Sequence, residues 1–265
     1  MRIARGISIA NASKPISTAA AFDSDAVAFF TAASITDNTQ KSAVNTLVLS
    51  LKSANIWTKM KALYPVVGGV ASAHAVNLKQ PGTYNLSFAT GWTHSSTGMT
   101  PNGATYANTF LTPSTALSLN STHVSYYSRT DNNIGLDIGI DSNNIFGRLY
   151  TYIRLGNSFG GRNNNTTSGE KTIANNSGLG HYINNRIDSG NIKLIKNGII
   201  NTIALTSNGL DTSQISIGAV FSISTYEYGS KQCAFASIGD GLTDAEATNF
   251  YNAVQTFQTT LGRQV

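Results

Sequence analysis

Ile192-Lys193-Leu194-Ile195-Lys196-Asn197-Gly198-Ile199-Ile200-Asn201 reads as two strands joined by a two-residue turn. Asn-Gly is the favoured pair there because both turn positions need positive φ, which Asn tolerates and Gly adopts freely. Outward from this hairpin the same pattern repeats: short runs of β-branched and aromatic residues bounded by Gly, Asn, Asp and Ser. The spacing predicts strands over 84–89, 107–111, 123–129, 134–140, 145–154, 181–187, 191–196, 199–206, 214–222 and 232–238. Such a series predicts a mainly β chain whose residues 70–265 form an antiparallel sandwich. The polar tracts Asn163-Asn164-Asn165-Thr166-Thr167 and Asn175-Asn176-Ser177 predict exposed loops between strands.

Helices are expected at both ends. Residues 1–22, with Pro15, read as an arm, either loosely ordered or serving as an anchor. Residues 23–69 read as a helical region. Asp23 or Ser24 caps a first helix carrying Val27, Phe29, Phe30 and Ala33. Asp37 and Gln40 form a capping box for a second, whose stripe of Ala43, Val44, Leu47, Val48 and Leu51 recurs at three- and four-residue spacing. Trp57, Met60, Leu63 and Tyr64 extend that apolar face until Pro65 stops it. At the other end Thr243-Asp244-Ala245-Glu246 is a capping box, and Phe250, Tyr251, Val254 and Phe257 line one face of a final helix, expected to close an end or edge of the sandwich.

Composition narrows the function. Of 265 residues 41% are hydrophobic, enough for a sizeable core, but only 12% are charged. Asn, Ser and Thr, at 27, 29 and 30 copies, fill the deficit and suit turns and the solvent faces of strands. The formal net charge of +5 comes from scattered Lys and Arg, so no phosphate-tracking stripe and no nucleic-acid partner are expected, while anionic glycans or an acidic partner stay open. The single cysteine, Cys233, excludes an internal disulfide and fits a buried hydrophobe, consistent with assembly in a reducing cytoplasm. No stretch reaches a membrane span or a signal-peptide core, so release by lysis is the expected route outside a cell.

Thr31-Ala32-Ala33-Ser34-Ile35-Thr36-Asp37, Ile56-Trp57-Thr58-Lys59-Met60-Lys61-Ala62-Leu63-Tyr64-Pro65-Val66-Val67-Gly68-Gly69, Gly91-Trp92-Thr93-His94-Ser95-Ser96-Thr97-Gly98, Tyr126-Tyr127-Ser128-Arg129-Thr130 and Phe235 through Glu246 together resemble a recurrent structural protein of tailed bacteriophages. The Asn197-Gly198 hairpin and the Ile238-Gly239-Asp240-Gly241-Leu242 corner resemble the concanavalin/laminin-G-like jelly roll. The first resemblance implies a virion-surface binding protein, a tail-fibre or receptor-binding component or a head decoration protein, assembled in the host cytoplasm. Its partners would be other virion proteins and a cell-surface glycan, in a homo-oligomer that is trimeric by analogy with phage fibres. A capsid or tail cement protein without external ligand, anchored by residues 1–22, is the alternative; a glycan depolymerase is a third.

The residues argue against catalysis. Glycosidases need two carboxyls flanking one bond, and the chain has three glutamates, Glu170, Glu227 and Glu246, none in a Glu-x-Asp-x-Glu strand. Asp137 and Asp141 would share one face of a strand and form a candidate cation or acid–base pair. No cofactor is expected, with calcium left open at the oxygen-rich turns Asp131-Asn132-Asn133, Asp141-Ser142-Asn143 and Asp188-Ser189-Gly190. His74, His94, His123 and His181 lack metal-ligand spacing. The candidate ligand-binding residues are Trp92 and His94, as a sugar-stacking surface, and Tyr127 and Arg129, which share one strand face.

Overall fold

The computed structural model describes residues 21–142, 147–166 and 169–265. Nearly all of the arm expected over residues 1–22 lies outside the described residues, as do Asn143, the start of the strand expected at Ile145, and Thr167. In chain order, helices α1 (Ser24–Ala32) and α2 (Asn38–Ser53) precede strand β1 (Met60–Tyr64). A short α3 (Ala71–His74) leads to β2 (Ser87–Phe88), β3 (Trp92–Ser95), β4 (Gly98–Pro101) and β5 (Ala107–Asn108). After α4 (Pro113–Ala116) come β6 (Thr122–Ser128), β7 (Ile138–Ile140), β8 (Arg148–Leu155), β9 (Ser158–Asn165) and β10 (Lys171–Ala174). Then follow β11 (Gly180–Arg186), β12 (Asn191–Lys196), β13 (Ile199–Ala204), β14 (Ser216–Ile217), β15 (Ala219–Ser222), β16 (Thr225–Tyr228), β17 (Cys233–Gly239) and helix α5 (Asp244–Thr260).

The strands make an antiparallel jelly-roll sandwich with flanking helices. One sheet runs β13-β12-β11-β6-β17-β4-β3, with β1 also paired to β17; the other runs β10-β9-β8-β7-β14-β5-β2. The hairpin read first from the sequence is present: Ile195 pairs Ile200, Lys196 pairs Ile199, and Asn197 and Gly198 have φ of 49° and 79°.

Three apolar layers hold the fold. Tyr126, Tyr182, Val124, Ile238, Ile138, Leu149 and Ile217 fill the space between the sheets. A second core lies on the outer face of the first sheet, where Tyr127, Ile183, Ile195 and Phe235 meet Leu47, Val48 and Leu51 of α2 and Phe250, Val254 and Phe257 of α5. The final helix therefore covers a sheet face beside α2, rather than closing an end or edge. A smaller third cluster, Leu136, Tyr150, Tyr152 and Val220, lies where the β15–β16 hairpin covers part of the second sheet's outer face.

Two sequence expectations are corrected. Residues 60–64 continue no helix: α2 ends at Ser53, Asn55 takes a φ of 58°, and Met60–Tyr64 pairs with β17. Leu63 joins the helix-side core while Ala62 and Tyr64 join the inter-sheet core. A strand buried on both sides shows no polar alternation, so its apolar run imitates a helix. The Asn163–Asn165 tract is likewise no exposed loop. All three asparagines are buried in β9, and Asn163 Nδ2 donates to Asn184 Oδ1 at 3.2 Å. Asn184 Nδ2 in turn donates to the backbone oxygens of Tyr150 and Arg162, so carboxamides stitch one sheet to the other. Buried amides survive there because each finds carbonyl partners. Asn175 is buried too, donating to Ile153 O at 2.6 Å.

Candidate functional site

The helices cover the outer face of the first sheet, so the open face belongs to the second. Alternation along β5 and β14 turns Ala107 and Ile217 into the core and leaves Asn108 and Ser216, which pair in register, on the outside. Gly218, at φ +80°, redirects the chain from β14 into the β15–β16 hairpin. Phe221 and Tyr226 pair across that hairpin and share a face. Between hairpin and sheet runs a groove of about 430 Å³ lined by Asn108, Thr112, Gln214, Ser216, Phe221 and Tyr226 among others. That volume lies within the roughly 300–1,000 Å³ of small-ligand clefts.

Tyr226 is the organising ring. Tyr106 stacks on it with centroids 4.1 Å apart and planes at 13°. Phe221 meets it edge-on at 5.1 Å, and Tyr228 lies 5.8 Å away. Burial and the Tyr106 hydroxyl push the Tyr226 phenol up to about 12, with the Ser216 hydroxyl pulling the other way; Tyr226 is a neutral donor and acceptor at physiological pH. Across the groove Asn108 Nδ2 donates to Gln214 Oε1 at 2.6 Å, and Asn108 Oδ1 accepts from Phe110 N at 2.7 Å. The site combines a fixed aromatic wall with a fixed pair of carboxamides.

The residues singled out from sequence fall elsewhere, and not together. Trp92 and His94 do share a cluster, half-buried on β3, with Phe88 5.3 Å from Trp92 and 4.6 Å from His94. Their roles there are contacts within the protein. A Cβ on Gly218 would sit 2.7 Å from the Trp92 ring, so Trp92 braces the root of the hairpin. His94 Nδ1 lies 2.9 Å from His74 Nδ1. Burial, then the neighbouring His94, lowers His74 to about 3, and burial lowers His94.

Tyr127 and Arg129 are spent on the end of the chain. Tyr127 is fully buried against the helices, its hydroxyl accepting from Val265 N at 3.0 Å. Arg129 Nε donates to Arg263 O at 2.8 Å. In the first sheet two strands, β17 and β4, separate β6 from the β3 strand that carries Trp92 and His94, and the Tyr127 side of β6 faces the helices.

Asp137 and Asp141 each have a cation of their own. Asp137 lies 3.3 Å from Lys231 and accepts from Ile153 N at 2.7 Å; Asp141 lies 2.7 Å from Arg148. Burial pushes both carboxyls up to about 6 against those partners. Asp188 accepts from Gly190 N and Asn191 N, the behaviour of a turn residue, and Asp131 accepts from the distant Gly178 N and Arg154. Among the described residues no group of three or more His, Cys, Asp or Glu is placed to hold a metal ion. Glu246 accepts from Thr243 N and pairs with Lys59, and Glu170 accepts from Tyr150 and Tyr152.

Sequence reading missed Tyr106, Asn108, Gln214, Phe221 and Tyr226. The available signal was the alternation Tyr226-Glu227-Tyr228 beside the apolar Ala219-Val220-Phe221, a hairpin pattern.

The chain matches no protein family and no curated protein. Solved structures share its fold. The crystal structure of an HCR/D mutant superposes with a TM-score of 0.51 at 13% identity, over 75% of this chain and 53% of that chain. The receptor binding domain of botulinum neurotoxin D gives 0.48 at 12% identity, over 74% and 53%. Domain 4 of AbnA, an extracellular arabinanase from Geobacillus stearothermophilus, in complex with arabinotriose, gives 0.43 at 12% identity, over 72% and 98%. The chain spans about half the length of the HCR/D chain. The likeness to the HCR/D chain is one of fold, and no family model or curated protein of the tailed-phage kind matches, so the resemblance to tailed-phage structural proteins is not upheld. The virion, tail-fibre and capsid-decoration readings fall with it; the virion partners and the trimer had been drawn from that same resemblance. The matching segments are a capping box, Gly-bounded corners, an Ala/Ser/Thr run and two core strands, β1 and β6, elements that unrelated folds also use. No helix of the described residues is long and apolar enough to cross a membrane.

Proposed function

We propose that the chain is a non-catalytic binding module that takes a glycan or glycan-bearing receptor in the groove between the β15–β16 hairpin and the second sheet. One observation carries this reading: the Tyr106–Tyr226 stack at 4.1 Å holds an aromatic wall in place opposite the Asn108–Gln214 carboxamide pair. An aromatic face carries partial negative charge and attracts polarised C–H groups, which sugar rings present on their apolar sides. A wall already ordered in the free protein spares a ligand the entropy of ordering it. Among the described residues no carboxylate lines the groove, so the groove is equipped to hold rather than cleave.

The test is a glycan panel probed with the wild-type chain and with Tyr226→Ala. Saturable binding lost in the variant, with the bound glycan recovered at unchanged length, is the expected result. Release of new reducing ends would overturn the non-catalytic assignment.

A further inference from the structure

We infer, resting on that reading of the groove, that its ligand is a neutral saccharide carrying vicinal hydroxyls, and that acidic glycans are excluded. The chain as a whole is basic, at +5, and by charge alone an anionic ligand would be favoured. The local inventory is different. No residue lining the groove carries a charge. Anion recognition calls for a guanidinium or ammonium aimed at the ligand; none is among the lining residues, and the neighbouring Arg148 is committed, its Nε 2.7 Å from Asp141.

The carboxylates around the groove adjoin its lining residues in the chain. Asp141 follows Ile140, Asp211 precedes Thr212, and Glu227 follows Tyr226. Asp141 is paired with Arg148, and Asp211 accepts from Ser142 and Ser213. An incoming carboxylate or sulfate would meet carboxylates beside the groove and no cation in its lining, which is how recognition sites reject the wrong ligand.

What the groove offers is hydrogen bonding between neutral groups. Each sugar hydroxyl both donates and accepts. Gln214 keeps its Nε2 donors while its Oε1 is taken by Asn108, and Tyr226 and Ser216 supply hydroxyls on the opposite side. A carboxamide on one side and hydroxyls on the other suit a ligand with adjacent hydroxyls, and Phe221 and Tyr226 would cover the ring's C–H face.

Arabinotriose, maltotriose and cellotriose serve as neutral probes and trigalacturonate as the acidic one, each titrated by calorimetry or protein-observed NMR at 20 mM and 300 mM salt. At least one neutral probe should bind, with less than a twofold change in Kd between the two salts and a loss of at least tenfold in Tyr226→Ala. Tyr226→Phe, which keeps the ring and loses the hydroxyl, and Gln214→Ala should each weaken binding severalfold, less than Tyr226→Ala; a circular dichroism spectrum and Tm matching wild type show that each variant is folded. Trigalacturonate bound more tightly than every neutral probe, with salt-sensitive affinity lost in Tyr226→Ala, overturns the neutral class and leaves the groove standing. Saccharide binding unchanged in Tyr226→Ala overturns the groove itself. Absence of binding by all three neutral probes overturns the proposed ligand class.

Discussion

Lys231 sets its ammonium 3.3 Å from the Asp137 carboxylate, with the two side chains 0% and 1% exposed. Lys231 also donates to Ile134 O at 2.8 Å. This buried pair sits at the foot of the β15–β16 hairpin, where Gly218 N donates to Asp137 O and Gly229 N donates to Gly218 O. Desolvating two charges offsets most of their attraction, so the pair gives specificity of placement more than net stability.

Breaking the pair should therefore hurt more than replacing it. Asp137→Ala leaves a buried ammonium unpaired and should destabilise by about 3–5 kcal/mol. The double change Asp137→Leu with Lys231→Met should recover most of that loss. Urea unfolding monitored by circular dichroism measures both; a double variant no better than the single one would falsify the account.

Acidification should weaken the fold below pH 6.5. Burial lowers His74 to about 3, His123 to about 4 and His181 to about 3, from an ordinary 6.5. The unfolded chain protonates these rings first, so their stability is complete above pH 6.5 and declines as pH falls. Asp137 and Asp141, raised to about 6, act oppositely: the folded state takes up their protons first, and stability grows as pH drops from about 6 toward 3.8. Three histidines against two carboxylates leave a net loss of up to about 1.4 kcal/mol per pH unit. A Tm at pH 5 equal to or above that at pH 7 would contradict this.

His181→Phe should flatten that pH dependence. Both ring nitrogens of His181 are buried without a hydrogen-bond partner, and Phe250 and Tyr251 lie 5.3 and 6.4 Å from its ring. An apolar ring relieves unsatisfied nitrogens, worth about 1–3 kcal/mol each at most. The variant should melt no lower than wild type at pH 7 and clearly higher at pH 5.

Gly218→Val should loosen the hairpin. The position needs φ +80°, and its Cβ would press on the Trp92 ring at 2.7 Å. Strain of this kind costs about 1–3 kcal/mol. In a Trp57→Phe background the remaining Trp92 fluorescence should shift to the red, and groove affinity should drop; unchanged emission would show that Trp92 does not brace this turn.

The fold was legible where local chemistry decides it. Asn197-Gly198 demanded a tight turn, Thr243 and Glu246 a capping box, and the run of short strands a sandwich; all are present. The sequence was opaque where tertiary packing decides. Met60–Tyr64, buried on both sides, imitates a helix, and Asn163–Asn165 looks like a loop because the carbonyls that satisfy it come from strands far along the chain. The groove was hidden for a similar reason. Tyr106 and Tyr226 are 120 positions apart, and neither stands in a motif. Tyr127 lies in β6, which ends at Ser128, one residue before Arg129, and no local signal placed the helices that cover this sheet.

Strands β6, β11 and β17 are buried along their whole length between two apolar layers, whereas the β15–β16 hairpin rests on a small cluster and leaves Ile223 58% exposed. Amide protons of those three strands should exchange only through global opening, while the hairpin's can exchange through local excursions. The part of the fold that meets the ligand is thus the part that can unfasten and reform most often within the lifetime of the folded chain, returning each time to the same ordered wall.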